Sequence, residues 1–424
     1  MSVQPDQKAA TVHQAVGGRR KKQSQAEARY APPGDSRPRV YADSAATSFQ
    51  KPPAVLEAMV RFARECCVAP GRGSFRESRQ CQQMIATCRE RLARLINAQG
   101  PDRIIFTLNC SDALNIAIRG LLALAGGKAH AIATAMDHNS VLRPYHTLAR
   151  QAGLQFDIIA CDPCSGLVDV GALEKAIRPQ TRLITCIHAS NVTGVIEPVA
   201  EVAALARRRN IPVLVDASQT AGYLPVDVQA LGVDLMAFAG HKGLLGPLGT
   251  GALYLGPGME HKLETIREGG TGVLSELTTQ PEDLPHKLEV GSPNAIGIAG
   301  LSEGIEWLLQ RTIPALQAHD QRLAGQFLDA VAKIPGLKVY GPGQGPGRVA
   351  VFSVSLAGFS PADLGKVLES EFGVLTRAGL HCAPLAHKTI GTFPQGACRL
   401  SFGAFSTEAD VAYVIAALRK VARN

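Results

Sequence analysis

Two neighbouring apolar runs of the chain end on residues that could do chemistry together. IPVLVDASQTAG (211–222) ends its β-branched stretch on Asp216, with Gln219 three positions on. The next such run leads into FAGHKGLLGPLGTG (238–251), which carries His241 and Lys242 in a turn full of glycine. Alone, Asp216 reads equally well as a helix N-cap, and Lys242 as an exposed loop lysine. Together they have the makings of a Schiff base to pyridoxal phosphate, with the carboxylate keeping the pyridine nitrogen protonated so that the ring is an electron sink. Burial of the lysine would favour its neutral, nucleophilic form.

A phosphate wants backbone N–H groups at a helix N-terminus and hydroxyl donors beside them. NCSDALNIAI (109–118), after the run RIIFTL, offers both, with Cys110 and Ser111 at the helix start. ATAMDHNS (133–140) offers His138, which could stack on a ring and shuttle protons, or simply be a surface histidine. NVTG (191–194) offers Asn191, otherwise a turn residue. RAGLHCAPLAH (377–387) sets Cys382 among Arg377, His381 and His387 in a stretch too rich in Gly, Ala and Pro for an ordinary helix. Most free cysteines are buried structural thiols. A loop cysteine with cationic neighbours is a candidate thiolate nucleophile, so Arg377 and His381 or His387 are expected to supply its positive field.

The elements that must position these residues follow from periodicity. RIIFTL, AIATAM, FDIIA, RLITCIHA, IPVLVDA, LMAFAG and GALYLG alternate with stretches of helical spacing such as DALNIAIRGLLAL and VAEVAALARRRN. This predicts an α/β fold with a mainly parallel sheet covered by helices, and functional residues beyond the carboxyl ends of its strands. After about residue 300 the ordering suits a smaller α+β domain. The expected division is a disordered basic tail at 1–39, a segment at 40–60 joining the small domain, a large cofactor-binding domain at 61–300 and a small domain at 301–424.

The chain has 424 residues, 46% hydrophobic and 19% charged, as in an ordinary globular enzyme. It shows no apolar run near the roughly 20 residues of a membrane span and no apolar signal core, so a cytoplasmic location and no membrane contact are expected. Residues 1–40 hold eight Lys and Arg against three Asp and Glu, so most of the net +8 sits there and no basic face for nucleic acid is implied. Ten scattered cysteines suggest reduced thiols. CDPC (161–164) lacks a second ligand pair, and no metal site is expected.

Collinear with these segments are YADSAAT (41–47), MDH (136–138), EVGSPN (289–294) and RLSFGAFST (399–407). From about residue 40 to the C-terminus the set resembles the class V aminotransferase-like pyridoxal phosphate enzymes of fold type I, within them the cysteine desulfurase and selenocysteine lyase branch. The resemblance implies conversion of L-cysteine, or L-selenocysteine, to L-alanine, with sulfur taken by Cys382 as a persulfide for a protein acceptor that feeds iron-sulfur cluster or thio-cofactor assembly. Lys242 would carry the cofactor and move the proton, Asp216 would hold the pyridine and Gln219 the phenolic oxygen. His138 would stack on the ring, while Ser111 and His241 hold phosphate. Asn191 would lie near ring and substrate, and Arg399, with Arg377, would bind the substrate carboxylate. Relatives are homodimers in which a neighbouring subunit completes the phosphate site, here through Thr278 or Thr279. Many relatives carry a hydroxyl at the position of Ala239; its loss removes a charged hydrogen bond worth about 1.5–3 kcal/mol. Competing readings are an epimerase or other lyase that needs Lys242 but not Cys382, and a non-catalytic module with the basic tail as its docking arm.

Overall fold

The computed structural model describes residues 39–122 and 128–423. The basic segment 1–39, apart from Arg39, lies outside them. Strand β1 (Val40–Tyr41) opens the described chain. The large sheet follows with β2 (Ile104–Thr107), β3 (His130–Thr134), β4 (Gln155–Ile159), β5 (Thr181–Ile187), β6 (Val213–Asp216), β7 (Leu235–Ala239) and β8 (Gly251–Leu255). Their order is β2-β8-β7-β6-β5-β3-β4. All neighbours are parallel except β8, which runs antiparallel to both β2 and β7.

Helices cover both faces, and this is why the strands read as continuous apolar runs. Successive side chains point to opposite sides. Val213 and Val215 enter the core shared with helices Arg76–Leu95, Val199–Arg207 and Ala295–Arg311. Leu214 between them enters the core under helices Cys110–Leu122 and Asn139–Ala152. Because β8 is reversed between β2 and β7, Thr107 and Ala239 both register on Gly251. The carboxyl ends of β2, β5, β6 and β7 therefore face one edge, and the loops after them form one cluster.

Four further strands, β9 (Leu337–Tyr340), β10 (Val351–Leu356), β12 (Arg377–Gly379) and β13 (Ala397–Ser401), make an antiparallel sheet ordered β12-β13-β10-β9. Before β12 comes β11 (Val374–Leu375), which pairs in parallel with β1. This second core is built on Phe327, Phe352 and Phe402, with Phe327 and Phe352 rings 4.4 Å apart, and it takes in Val40 and Ala42. The division expected at residue 300 falls inside helix Ala295–Arg311, whose buried residues join the large core through Leu308. Most buried residues from Leu323 onward belong to the second core, while Ala383, Ala386 and Ile390 pack into the large one. Among the described residues no helix is long and apolar enough to cross a membrane.

The interior holds ionisable groups of both signs. Burial pushes Asp137 and Asp320 up to about 7 and Glu197 up to about 8. It pushes His138, His188, His241 and His387 down to about 4 and His381 to about 3. A raised carboxyl contributes stability at low pH that is lost as pH rises through its folded value. A depressed histidine contributes stability at neutral pH that is lost as pH falls through its folded value. Between about pH 4.5 and 6.5 the five histidines outweigh the three acids; above that the acids dominate until near pH 8, where Lys51, pushed down to about 8 by burial, begins to offset them. The melting temperature of the cofactor-free protein should therefore peak near pH 6.5–7. A melting curve that kept rising from pH 6.5 to 8 would contradict the buried acids.

Candidate active site

Beyond the strand ends lies a cavity of about 210 Å³ whose lining includes Ser111, His138, Asn191, Asp216, Lys242 and Arg399. It gathers residues from both sheets. Backbone contact fixes its floor: a Cβ on Gly222 would come within 2.1 Å of the Gly243 carbonyl oxygen, and one on Gly243 within 2.2 Å of the Ala221 oxygen. Glycines in both turns thus let the loop after Asp216 lie directly on the loop that holds Lys242. Burial lowers the Lys242 ammonium from its ordinary range, against the opposing pull of Asp216. Asp216, 5% exposed at the end of β6, accepts hydrogen bonds on Oδ1 from the Ser218 N–H (2.9 Å) and from Cys110 Sγ (3.5 Å). Cys110 is buried against that carboxylate, while Ser111, one residue on, is exposed to the cavity.

His138 caps helix Asn139–Ala152. Its Nδ1 accepts from the Ser140 N–H at 3.1 Å and lies 2.9 Å from the Ser140 hydroxyl, which in turn lies 2.6 Å from the Ser111 hydroxyl. Burial and then the charge of Lys242 hold this imidazole neutral, and with Nδ1 accepting, the proton resides on Nε2. Nδ1 of His241 lies 3.0 Å from the Thr47 hydroxyl. The His241 carbonyl is already satisfied by Ser48 through its N–H and hydroxyl. The Thr47 hydroxyl donates to that same carbonyl at 3.0 Å. Gln219 gives one amide hydrogen to the Ala45 carbonyl (2.9 Å) and keeps a second. Ala239 is buried in the lining and offers no hydroxyl.

Asn191 donates through Nδ2 to the His381 carbonyl at 2.7 Å, and its buried Oδ1 has no hydrogen-bond partner. Arg399, 1% exposed on β13, is already engaged: one Nη donates to the Asp43 carboxylate at 2.5 Å and the other to the Asn191 carbonyl at 3.2 Å. Arg377 on β12 places Nη2 3.8 Å from Cys382 Sγ, and Cys382 is exposed. The stretch expected to be a loop is mostly ordered: β12 takes Arg377–Gly379, and a short helix runs from Pro384 to Thr389.

One expectation is corrected. His381 and His387 are 3% and 0% exposed and face each other through Nδ1 and Nε2 at 3.1 Å. Burial, with the charge of Arg399 next, keeps both neutral. They give Cys382 no positive field, which leaves Arg377 as its cation. Thr278 and Thr279 line a separate surface cavity within residues 268–281 and do not reach this one in their own chain. Among the described residues, no three His, Cys, Asp or Glu come together as a metal cage.

Three residues went unread in the sequence. Asp43 lies inside YADSAAT, and the signal was available in a carboxylate that closes a segment pairing with the small sheet. Ser140 sits two residues past His138, at the spacing of an N-cap partner. Thr392 meets His387 only because the chain turns back after helix Pro384–Thr389, and nothing local announces that.

A strand-end carboxylate, a buried lysine of lowered basicity and a helix start with hydroxyl donors are the parts of a pyridoxal phosphate site on a fold type I scaffold. The orphaned Asn191 Oδ1 and the neutral His138 and His241 fit that group as hydrogen-bond and stacking partners. The aminotransferase class-V family matches residues 40–414, and the chain belongs to it. It is 33% identical over 389 residues to the "probable cysteine desulfurase" of Methanothermobacter thermautotrophicus, covering 91% of this chain and 95% of that one. It is also 33% identical over 395 residues to a cysteine desulfurase of Yersinia pestis, covering 91% and 94%. The apo structure of a cysteine desulfurase from Thermococcus onnurineus superposes with a TM-score of 0.84 at 29% identity, covering 91% and 94%. The S-sulfonic acid form of the Escherichia coli cysteine desulfurase CsdA gives 0.80 at 30% identity, covering 90% and 94%.

Proposed function

We propose that this enzyme is a pyridoxal phosphate-dependent cysteine desulfurase that converts L-cysteine to L-alanine and receives the sulfur on Cys382. The observation that carries the reading is that Arg377 touches the exposed Cys382 Sγ while itself lining the cavity of Lys242 and Asp216. Cofactor machinery and a sulfur acceptor thus share one opening.

When bound, pyridoxal phosphate supplies the electron sink that acidifies the substrate Cα–H and weakens the bond from carbon to sulfur. The residues do the rest. Lys242 would hold the cofactor, and its amine, lowered in basicity by burial, would take and return the Cα proton. Asp216, braced by Ser218 and Cys110, keeps the ring nitrogen protonated. His138 would stack on the ring, with its Nε2–H as a donor. Ser111, the first-turn N–H groups of helix Cys110–Leu122 and His241 take the phosphate, in place of the hydroxyl that Ala239 lacks. Gln219 holds the phenolic oxygen and Asn191 Oδ1 meets ring or substrate. Arg399 and Arg377 take the substrate carboxylate. Cys382, with the Arg377 guanidinium beside its Sγ, would form an S–S bond to the substrate sulfur as the C–S bond breaks. The carbon left behind is protonated to alanine.

The reading includes a homodimer whose second copy brings Thr278 or Thr279 to the phosphate, since in their own chain these residues lie elsewhere. It also includes a protein that collects sulfur from the exposed Cys382. Free thiols at all ten cysteines support a reducing, cytoplasmic setting. The test is to treat the holoenzyme with L-cysteine, quench, and map added sulfur by peptide mass spectrometry. The Cys382 peptide is expected to gain one sulfur. Gain confined to exposed Cys67 or Cys164 would overturn the assignment.

A further inference from the structure

The backbone that presents Cys382 is held where its residues do not prefer to be. His381 and Cys382 are consecutive non-glycine residues with φ of +50° and +58°, the left-handed region that such residues occupy only when their surroundings impose it. Two backbone ties are visible: the His381 carbonyl accepts from Asn191 Nδ2, and the Cys382 carbonyl accepts from the Asn139 N–H at 2.8 Å. A third tie runs through the rings, and its polarity can be assigned without ambiguity.

His381 Nε2 lies 3.0 Å from the Arg377 carbonyl, which can only accept, so Nε2 bears the hydrogen. In the neutral ring Nδ1 is then an acceptor, and the group facing it at 3.1 Å is His387 Nε2, which must donate. That leaves His387 Nδ1 to accept from the Thr392 hydroxyl at 2.7 Å. The relay therefore runs one way, from Thr392 through His387 and His381 to the carbonyl of Arg377. Each ring has one hydrogen to give and one lone pair to fill, and both rings are sealed from solvent.

We propose that His387, set by Thr392, is a positioning residue for the sulfur-accepting arm. It fixes His381 as a donor to Arg377, and so holds the Arg377 guanidinium and the strained Cys382 turn in mutual register. The inference rests on the reading of Cys382 as the persulfide carrier, but its test does not depend on turnover. The arm joins the two sheets: Arg377 is on β12 of the smaller one, while Asn191 and Asn139 follow β5 and β3 of the larger. A donor chain of fixed direction resists a change of register that packing alone would tolerate.

The experiment compares the holoenzyme with His387→Phe, His387→Gln and Thr392→Val, following alkylation of Cys382 by iodoacetamide at pH 7 through its tryptic peptide. His387→Phe fills the space but donates nothing, and it should slow Cys382 alkylation about tenfold as the Arg377 guanidinium loses its place beside Sγ. Gln carries an amide N–H able to replace Nε2–H, and it should stay within about threefold of wild type. Alkylation of exposed Cys164 serves as an internal reference and should not change. Equal loss in the Phe and Gln variants would reduce His387 to packing and overturn the proposal, as would a wild-type rate in His387→Phe. If His387→Phe does not fold, Thr392→Val decides: slowed alkylation supports the relay, and a wild-type rate overturns it. Failure of the desulfurase reading looks different, as sulfur mapping elsewhere than Cys382 while the alkylation pattern of these variants holds.

Discussion

Lys242→Ala should release alanine from L-cysteine about 10⁴-fold more slowly than wild type, the range spanned by loss of a positioned acid/base group. The expectation follows from placement more than from residue type. Lys242 is lowered in basicity by burial and sits on a loop pressed onto that of Asp216 by the Gly222 and Gly243 contact. Among the described residues no other lysine lines the cavity, so none of them can take over. The visible absorbance of the bound cofactor should change in the same variant, because the covalent tie is gone while Asp216, His138 and Ser111 remain. A variant that kept wild-type absorbance and turnover would remove Lys242 from the mechanism and with it the reading of the cavity.

Cys382→Ser separates the two halves of the site. A serine hydroxyl stays protonated near neutral pH, and Arg377 alone cannot make it an effective acceptor of sulfur. Alanine release from L-cysteine should fall roughly a hundredfold or more, equivalent to about 2.7 kcal/mol or more of lost transition-state stabilisation. Cofactor absorbance should match wild type, since Cys382 is exposed and does not line the cavity. L-selenocysteine is the useful companion substrate, because selenium leaves more easily than sulfur. Retained activity on it with loss on L-cysteine would still assign Cys382 to sulfur capture. Full activity on L-cysteine would mean that the thiol is not the acceptor.

All seven strands of the large sheet were legible as apolar runs, from RIIFTL at β2 to GALYLG at β8; in the central strands burial on both faces leaves no polar alternation to blur them, while edge strand β4 is only partly buried. The antiparallel direction of β8 was not. Direction depends on the short GHKGLLGPLGTG connection doubling back, and apolar composition carries no arrow. Residues at strand ends were found because the parallel fold dictates where they meet. Asp43 and the relay of His387 and Thr392 were missed for the opposite reason, since they join segments hundreds of residues apart or depend on a return turn. The sign of the error at His381 and His387 is also physical. Sequence neighbours of Cys382 looked cationic, but only burial decides whether an imidazole carries charge, and both rings are sealed.

The pairing of Arg399 with Asp43 has a consequence for which molecules the cavity can accept. Arg399 is not a bare charge waiting for an anion; its guanidinium already has an intramolecular competitor at 2.5 Å. A substrate carboxylate must trade places with Asp43 or share the arginine with it, so the net gain is a difference between two ion pairs rather than the whole of one. Small thiols without a carboxylate have nothing to trade. They leave the Arg399–Asp43 pair as it stands and draw no binding energy from it, so any preference for an amino acid rests on the surplus its carboxylate gains in the exchange.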